Sequence, residues 1–221
     1  MKTKKKKFLR RWFEDIKTRI ETLPGKIVYA KKIAGIIKNS EIVKVHVACG
    51  RNYKNGWVNI DNNKNVKTDI LFDMTKGIPF PDRSVDFLYN EHFIEHLSYE
   101  EGFEFMKEAF RVLKPNGVMR IAFPDLDSLI DSYIKDNWKE KEWVKLIDAY
   151  WYPSRCFMFN ENIRENGGHK YFYSVEEMAR RLVEAGFQKE NIAVEGINSS
   201  KHEELANIEK RADSSVVEAV K

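Results

Sequence analysis

Few cysteines and the lack of a long apolar run set the first limits on this chain. Its 221 residues include only two cysteines, Cys49 and Cys156, which stand far apart and form no C-x-x-C pair. We therefore expect neither a disulfide framework nor a cysteine-based metal site, as is typical of a reducing cytoplasm. No apolar stretch reaches the roughly 18 residues of a membrane-spanning helix. The basic N-terminus lacks the apolar region of a secretory signal, so a cytoplasmic location is expected.

Positive charge is concentrated at the start of the chain. Residues 1–40 contain 13 Lys and Arg against three Asp and Glu, whereas the rest contains 25 against 31. Hydrophobic residues make up 43% of the chain, which is enough for a packed core. The sequence thus predicts a basic arm over residues 1–40 and a slightly acidic domain over residues 41–221.

The basic arm has the pattern of an amphipathic helix. Apolar residues recur at four-residue steps from Phe8 to Ile20, next to a run of lysines, and Pro24 and Gly25 would end this helix. A second short helix is expected over residues 26–38. Basic amphipathic helices with aromatic residues are typical of segments that lie on an anionic membrane surface. The alternative is a helix that packs on its own domain.

Strand and helix patterns alternate from Lys44 onward. Short β-branched runs predict strands, and longer runs with apolar residues three or four apart predict helices. The predicted strands are 43–50, 56–63, 67–74, 84–90, 118–124, 191–197 and 214–220, and the predicted helices are 98–113, 127–150 and 174–187. This alternation predicts an α/β fold of the Rossmann-like, doubly wound kind, with a mostly parallel seven-stranded sheet and helices on both faces.

Small or polar residues stand at the predicted carboxyl ends of the first four strands, where parallel sheets bind ligands. They are Ala48, Cys49 and Gly50, then Asp61 and Asn62, then Asp73 and Met74, and finally Asn90. A glycine turn lets backbone N–H groups approach a ligand, and a carboxylate after the second strand can hold ribose hydroxyls. Each residue alone is an ordinary turn residue. Four such positions in succession indicate a binding edge.

Four segments of the chain resemble the class I S-adenosylmethionine-dependent methyltransferases. They are V-H-V-A-C-G-R-N, W-V-N-I-D, P-F-P-D-R-S-V-D and R-V-L-K-P-N-G. The resemblance extends over residues 44–125 and is closest to the small bacterial type found among cell-surface polysaccharide genes. It implies S-adenosylmethionine as the cofactor. The methionine part would lie on residues 48–50, the ribose on Asp61 and Asn62, the adenine beside Asp73 and Met74, and the sulfonium beside Asn90.

Two departures from the family pattern concern the first loop. Ala48 and Asn52 stand where members of the family usually have glycine. Only seven residues, 51–57, separate the glycine turn from the second strand, whereas a parallel crossover normally needs a dozen or more. Seven extended residues reach about 24 Å, so the chain can return. We therefore expect the usual first helix to be missing or reduced to a turn.

The stretch Y-N-E-H-F-I-E-H-L contains an H-x-x-E-H pattern made of His92, Glu95 and His96. On a helix these side chains would share one face, as in one class of zinc peptidases. A zinc site needs a third protein ligand, and the sequence identifies none. We therefore expect no metal and keep the zinc peptidase as an alternative. The histidines otherwise either pack at a helix start or line the acceptor side of the cofactor.

Methyl transfer requires alignment of the acceptor and removal of its proton. Histidine is a suitable base near neutral pH, and the candidates are His92, His96 and His169. Residues 151–172 are expected to form a lid over the acceptor. Its aromatic residues either stack on a sugar or form the core of a cap. They are Trp151, Tyr152, Phe157, Tyr171 and Tyr173.

The resemblance predicts O-methylation of a saccharide or another small acceptor in cell-surface glycan synthesis, with peripheral membrane contact through the arm. One alternative is an RNA or protein methyltransferase that uses the basic arm electrostatically. Nucleic acid is not expected as a partner, because the domain is acidic and carries no nucleic-acid motif. Another alternative is a noncatalytic binding module, for which the Ala48 departure is the main support.

Overall fold

The computed structural model describes residues 24–164 and 168–221, and the predicted helix before Pro24 lies outside these ranges. A seven-stranded sheet runs through the described part, in the order β3-β2-β1-β4-β5-β7-β6. The strands are β1 (Lys44–Val47), β2 (Val58–Asp61), β3 (Ile70–Leu71), β4 (Val85–Glu91), β5 (Leu113–Phe123), β6 (Ile192–Glu195) and β7 (Ser215–Val220). Strands β1 to β5 pair in parallel, and β7 runs antiparallel to both β5 and β6. The prediction of seven strands is confirmed, and the sheet is mixed.

The helices begin and end near the predicted signals. They are α1 (Pro24–Asn39), α2 (Tyr99–Val112), α3 (Leu126–Lys135), α4 (Glu142–Leu146), α5 (Arg155–Arg164) and α6 (Val175–Ala185). Ser98 and Glu101 form a capping box at the start of α2, and Gly186 ends α6 in the left-handed conformation. The continuous helix predicted over 127–150 is wrong, because Asp136 ends α3 with a φ of +52°.

The main core lies between one face of the sheet and the helices α1, α2 and α6. Alternate residues of the strands, such as Val45 and Val47 of β1, point toward it, as do buried residues of all three helices. Helix α1 contributes Ala30, Ile33 and Ile37 to this core. Helix α1, which the sequence placed in the basic arm, thus packs against the core of the domain over residues 41–221.

The opposite face of the sheet is covered differently from the expectation. Within the described ranges, its apolar cluster joins Tyr89 and Val118 of the sheet to Trp57, which lies in a bend, and to Leu205, which lies in a short 3₁₀ helix. The helices expected on this face are missing there, because the crossovers after β1 and β2 are too short to contain them. The connection between β6 and β7 takes their place and is fixed to the sheet through the buried side chain of Arg120.

Arg120 forms a buried ion-pair triad. Its Nε lies 2.7 Å from Glu209 Oε1 and its guanidinium lies 2.6 Å from Glu218 Oε1. It also donates to the carbonyls of Gly196 and Ser199. A buried charge is tolerated only when it is paired and hydrogen-bonded in this way. The triad therefore holds the β6–β7 connection in one place against the sheet.

Helices α3, α4 and α5 form a second, smaller cluster that contains most of the predicted lid. Its buried members are Leu129, Trp138, Val144, Ala149 and Met158. Among the helices within residues 24–164 and 168–221, none is long and apolar enough to cross a membrane.

Candidate cofactor and acceptor site

A tight turn after β1 contacts the end of β2. Ala48 and Gly50 both have left-handed backbone conformations, with φ of +51° and +50°. The Gly50 N–H donates to Asp61 Oδ2 at 2.8 Å, and Asp61 Oδ1 accepts from Asn63 N at 2.8 Å. The two predicted binding elements are thus side by side. Asn62, next to Asp61, is exposed.

The turn borders a cavity of about 500 Å³ at the carboxyl ends of β1 and β4. Its lining includes the predicted residues Ala48, Cys49, Gly50 and His92. Burial, with the nearby Asp61 charge, raises the pKa of the Cys49 thiol to about 11, so the thiol stays protonated and acts as a neutral wall.

Three cations line the same cavity, and no sequence pattern predicts a site role for two of them. Arg51 follows the turn, whereas Lys210 and Arg211 come from the β6–β7 connection. Glu91, at the end of β4, accepts from the backbone N–H groups of both Lys210 and Arg211, at 2.7 and 2.8 Å. This contact spans about half the chain and belongs to no local motif, so only the fold reveals it.

Asn90 lies at the end of β4, next to the cavity residue Glu91. Its side chain is fully buried, and neither Oδ1 nor Nδ2 has a hydrogen-bond partner among the described residues. Buried amides are almost always hydrogen-bonded, because an unsatisfied one costs about 1–3 kcal/mol. Contact between Asn90 and the cofactor stays a prediction, since Asn90 does not line the cavity.

The two residues predicted to flank the adenine, Asp73 and Met74, have different surroundings. Asp73 caps a short 3₁₀ turn and accepts from Thr75 N at 3.0 Å and from Thr75 Oγ1 at 2.7 Å. Burial would raise the pKa of Asp73, but these hydrogen bonds and Lys76 outweigh it and lower the pKa. The Met74 side chain is buried in the main core, so its predicted side-chain contact with adenine is not supported.

His92 lies at the cavity between Ser214 and the buried Glu95. Its Nε2 lies 2.9 Å from Ser214 Oγ, and its Nδ1 lies 3.2 Å from Oε1 of Glu95. The contact with Glu95 is within ion-pair distance but lacks the geometry of a hydrogen bond. The His92 backbone has a φ of +49°, a conformation that is strained for a residue with a Cβ. The sequence pattern suggests Glu95 only as part of a metal site and does not reveal its contact with His92.

The H-x-x-E-H pattern does not form one helical face. Residues Ile94–His96 make a short 3₁₀ turn, and the left-handed His92 precedes it. His96 instead faces His169, with ring centroids 4.8 Å apart. Backbone N–H groups of Lys170 and Tyr171 donate to the Glu95 carbonyl and hold the two segments together. The structure thus separates His92 from the pair formed by His96 and His169.

The lid aromatics divide between packing and exposure. Tyr173 is buried in the main core, Tyr171 packs against it, and Tyr152 packs on the cluster of α3–α5. Trp151 is 67% exposed and contacts Phe157 at 5.5 Å between centroids. The cap interpretation therefore fits the first three residues, Phe157 is half-buried against Tyr152, and only Trp151 of these five aromatic residues is exposed.

Asn59 explains how the short crossover after β1 is stabilised. This buried side chain accepts from Lys54 N at 2.8 Å and donates to the carbonyls of Lys54 and Trp57. Its Nδ2 also donates to Asp69, whose other oxygen accepts from the Tyr53 hydroxyl. Residues 51–57 contain turns only, as the sequence predicted. The hydrogen bonds of Asn59 replace the backbone support that a crossover helix would supply.

Comparisons with known proteins agree with this geometry. Residues 41–121 match the family model of a methyltransferase domain. A Mycolicibacterium smegmatis protein, named as an S-adenosylmethionine-dependent methyltransferase, is 39% identical over 59 residues, or 27% of this chain. The matched part is 22% of that relative's length.

Solved structures share the fold at low sequence identity. A SAM-dependent methyltransferase from Mesorhizobium loti is 14% identical with a TM-score of 0.50, over 85% of this chain and 97% of that one. A chain of the complex between the Haloferax volcanii Trm112 methyltransferase activator and a methyltransferase is 12% identical with a TM-score of 0.51, over 88% and 92%. Residues 41–121 are therefore similar to a methyltransferase domain, and the chain shares the fold of S-adenosylmethionine-dependent methyltransferases.

Proposed function

We propose that this protein uses S-adenosylmethionine to methylate a hydroxyl group of a saccharide or a similar small acceptor, with His92 as the base. The observation that carries the proposal is the position of His92 between the buried carboxylate of Glu95 and the cavity. When bound, the cofactor supplies an already activated methyl group.

The residues around the cavity suit the parts of that cofactor. Asp61 would accept from the ribose hydroxyls, and its present acceptance from Gly50 N fixes the carboxylate in place. Arg51, Lys210 and Arg211 would attract the carboxylate of the amino-acid end. Asn90 would hydrogen-bond to the cofactor through its buried side-chain amide, which has no partner among the described residues.

Removal of the acceptor proton would fall to His92. Ser214 Oγ lies 2.9 Å from its Nε2, which marks a place where a hydroxyl group meets the base. Glu95 is a positioning residue, because its buried carboxylate orients the ring and stabilises the positive charge that appears when His92 takes a proton. An acceptor hydroxyl would displace Ser214 or bind beside it.

The acceptor class rests on the aromatic surface near the lid and on the family resemblance. Trp151 offers an exposed aromatic ring, supported by the half-buried Phe157, of the kind that stacks on sugar rings. We further propose that the basic segment before Pro24 brings the domain to an anionic membrane, where lipid-linked saccharides are found. A nucleic-acid acceptor is less favoured, since the domain after residue 40 carries more Asp and Glu than Lys and Arg.

Incubation with methyl-labelled S-adenosylmethionine and an acceptor panel tests the proposal. The panel contains nucleotide sugars, lipid-linked saccharides, a histone mixture and total RNA, and mass spectrometry locates the methyl group. A 14 Da gain on a sugar hydroxyl that disappears in His92→Asn is expected. Methylation of RNA or protein alone would refute the acceptor class, and cofactor binding without transfer to any hydroxyl would favour the noncatalytic alternative.

A further inference from the structure

A cluster of metal-binding side chains lies beside the proposed acceptor site. A carboxylate oxygen of Glu95 and one ring nitrogen each of His96 and His169 lie within 4.8 Å of one another. Two imidazoles and one carboxylate are a ligand set that zinc prefers. The sequence predicts no metal because the H-x-x-E-H pattern lacks a third ligand, whereas the fold assembles a different set in which His169 takes the place of His92.

Both histidines have Nδ1 next to a backbone carbonyl. His96 Nδ1 lies 3.1 Å from the carbonyl of Gly168, and His169 Nδ1 lies 2.5 Å from the carbonyl of Asn162. A carbonyl only accepts hydrogen bonds, so Nδ1 is the donor in each contact. Metal-bound histidines commonly donate their second nitrogen to a backbone carbonyl in this manner.

Glu95 provides an independent sign that a cation belongs here. Its side chain is 1% exposed, and its Oε2 has no hydrogen-bond partner in the described part of the chain. A buried carboxylate without compensation is costly, whereas a divalent ion would neutralise it. Oε1 faces His92 at 3.2 Å, so the two oxygens can serve two different partners.

We propose that Glu95, His96 and His169 bind one divalent transition-metal ion of the zinc type. In a tetrahedral zinc site with ligands at about 2.1 Å, the ligand atoms are about 3.4 Å apart. The three ligand atoms, which lie within 4.8 Å of one another, would therefore need to approach each other by at most about 1.4 Å. The Glu95 carbonyl already accepts from Lys170 N and Tyr171 N, so the ion would join segments that the backbone holds together.

The ion would have a consequence for the lid. His169 belongs to residues 151–172, whereas Glu95 and His96 follow β4 of the sheet. A shared metal would fix the lid to the sheet next to His92 and leave a fourth position for water or an oxygen of the acceptor. The proposal does not depend on methyl transfer, because the metal site requires neither the cofactor nor His92.

Zinc titration of the tag-free, metal-stripped full chain tests this site. Isothermal titration calorimetry should give one site, and Co²⁺ in its place should give the intense visible absorption of four-coordinate cobalt. His169→Ala and His96→Ala should each weaken zinc binding about 100-fold or more, and Glu95→Gln should weaken it too. His202→Asn is the matched control, since it removes a histidine elsewhere, and it should leave affinity unchanged.

Folding of the variants is checked by thermal unfolding, and His169→Gln provides a second, gentler variant. Absence of stoichiometric zinc binding by the wild-type chain would overturn the proposal. Equal affinity in the wild type and in folded His96→Ala and His169→Ala would also overturn it. Loss of methyl transfer in His92→Asn with zinc binding retained would support the two sites as separate.

Discussion

Asp61 Oδ2 accepts a hydrogen bond of 2.8 Å from the backbone N–H of Gly50, which joins the end of β2 to the turn after β1. A single carboxylate thus shapes the turn and faces the edge where a nucleotide ribose would bind. Asp61 is only 8% exposed, and its Oδ1 accepts from Asn63 N.

We expect Asp61→Ala to weaken S-adenosylmethionine binding by about 1.5–3 kcal/mol, roughly 10- to 150-fold, because a charge-assisted contact is lost. Isothermal titration calorimetry measures the effect. Asp131→Asn, which removes an exposed carboxylate on α3, is the control and should bind normally. Unchanged affinity in Asp61→Ala would show that the ribose is held elsewhere.

Replacement of His92 should separate catalysis from cofactor binding. His92→Asn keeps a residue that tolerates a positive φ, so the fold should survive. We expect kcat to fall about 10²- to 10⁴-fold with cofactor affinity within a factor of about three, since only the base is lost. Glu95→Gln should lower kcat less. A normal kcat in His92→Asn would remove His92 from the mechanism.

Ala48→Gly should stabilise the protein. Ala48 has a φ of +51°, which costs a residue with a Cβ about 1–2 kcal/mol, whereas glycine loses about 0.5–1 kcal/mol of unfolded-state entropy. The net gain should be up to about 1 kcal/mol in urea unfolding. Ala34→Gly, inside α1, is the contrasting variant and should destabilise by about 1 kcal/mol. A destabilised Ala48→Gly would show that the turn is not strained.

Stability should depend on pH through His46. Burial, and secondly the charge of Lys54, lowers the pKa of this side chain from 6.5 to about 3 in the folded state. Between these values the unfolded chain binds more protons, so this contribution to stability is present above about pH 6.5 and is lost as the pH falls toward 3.

From pH 7 to pH 5 the expected loss is about 2 kcal/mol, since the slope is at most about 1.4 kcal/mol per pH unit. Urea unfolding at several pH values measures it. His46→Gln should lack this part of the slope while keeping the slope of the carboxyl groups. Identical slopes in the two proteins would mean that His46 is not buried in its neutral form.

The features that the sequence could predict depend on residues close together along the chain. The glycine turn comes directly after one strand, and Asp61 and Asn90 lie at the ends of two others; β-branched runs identify all three strands. Parallel strands bring these ends to one edge of the sheet. The missing crossover helix could also be predicted, because it depends only on the number of residues between Gly50 and β2.

Contacts between distant loops could not be predicted in the same way. Glu91 and Lys210 meet only because the Arg120 triad fixes the β6–β7 connection to the sheet. The helical interpretation of H-x-x-E-H was wrong because spacing alone does not reveal that His92 adopts a left-handed backbone. His169 lies beside His96 because the next two residues, Lys170 and Tyr171, donate backbone hydrogen bonds to the Glu95 carbonyl. No periodic pattern in the sequence predicts these hydrogen bonds.

The short crossover after β1 also bears on how the amino-acid end of the cofactor would be held. In dinucleotide-binding folds a helix begins after the glycine turn, and its aligned N–H groups favour a negative ligand. Here the turn leads into residues 51–57 without a helix, so the side chains of Arg51, Lys210 and Arg211 would have to supply the positive charge for the carboxylate of that end. S-adenosylmethionine also carries a sulfonium and an ammonium group and has no net negative charge, so these cations would act on its carboxylate at contact rather than attract the whole molecule from a distance. Two of the three cations belong to the β6–β7 connection, so binding of that carboxylate would depend on a loop that is distant in sequence from the glycine turn.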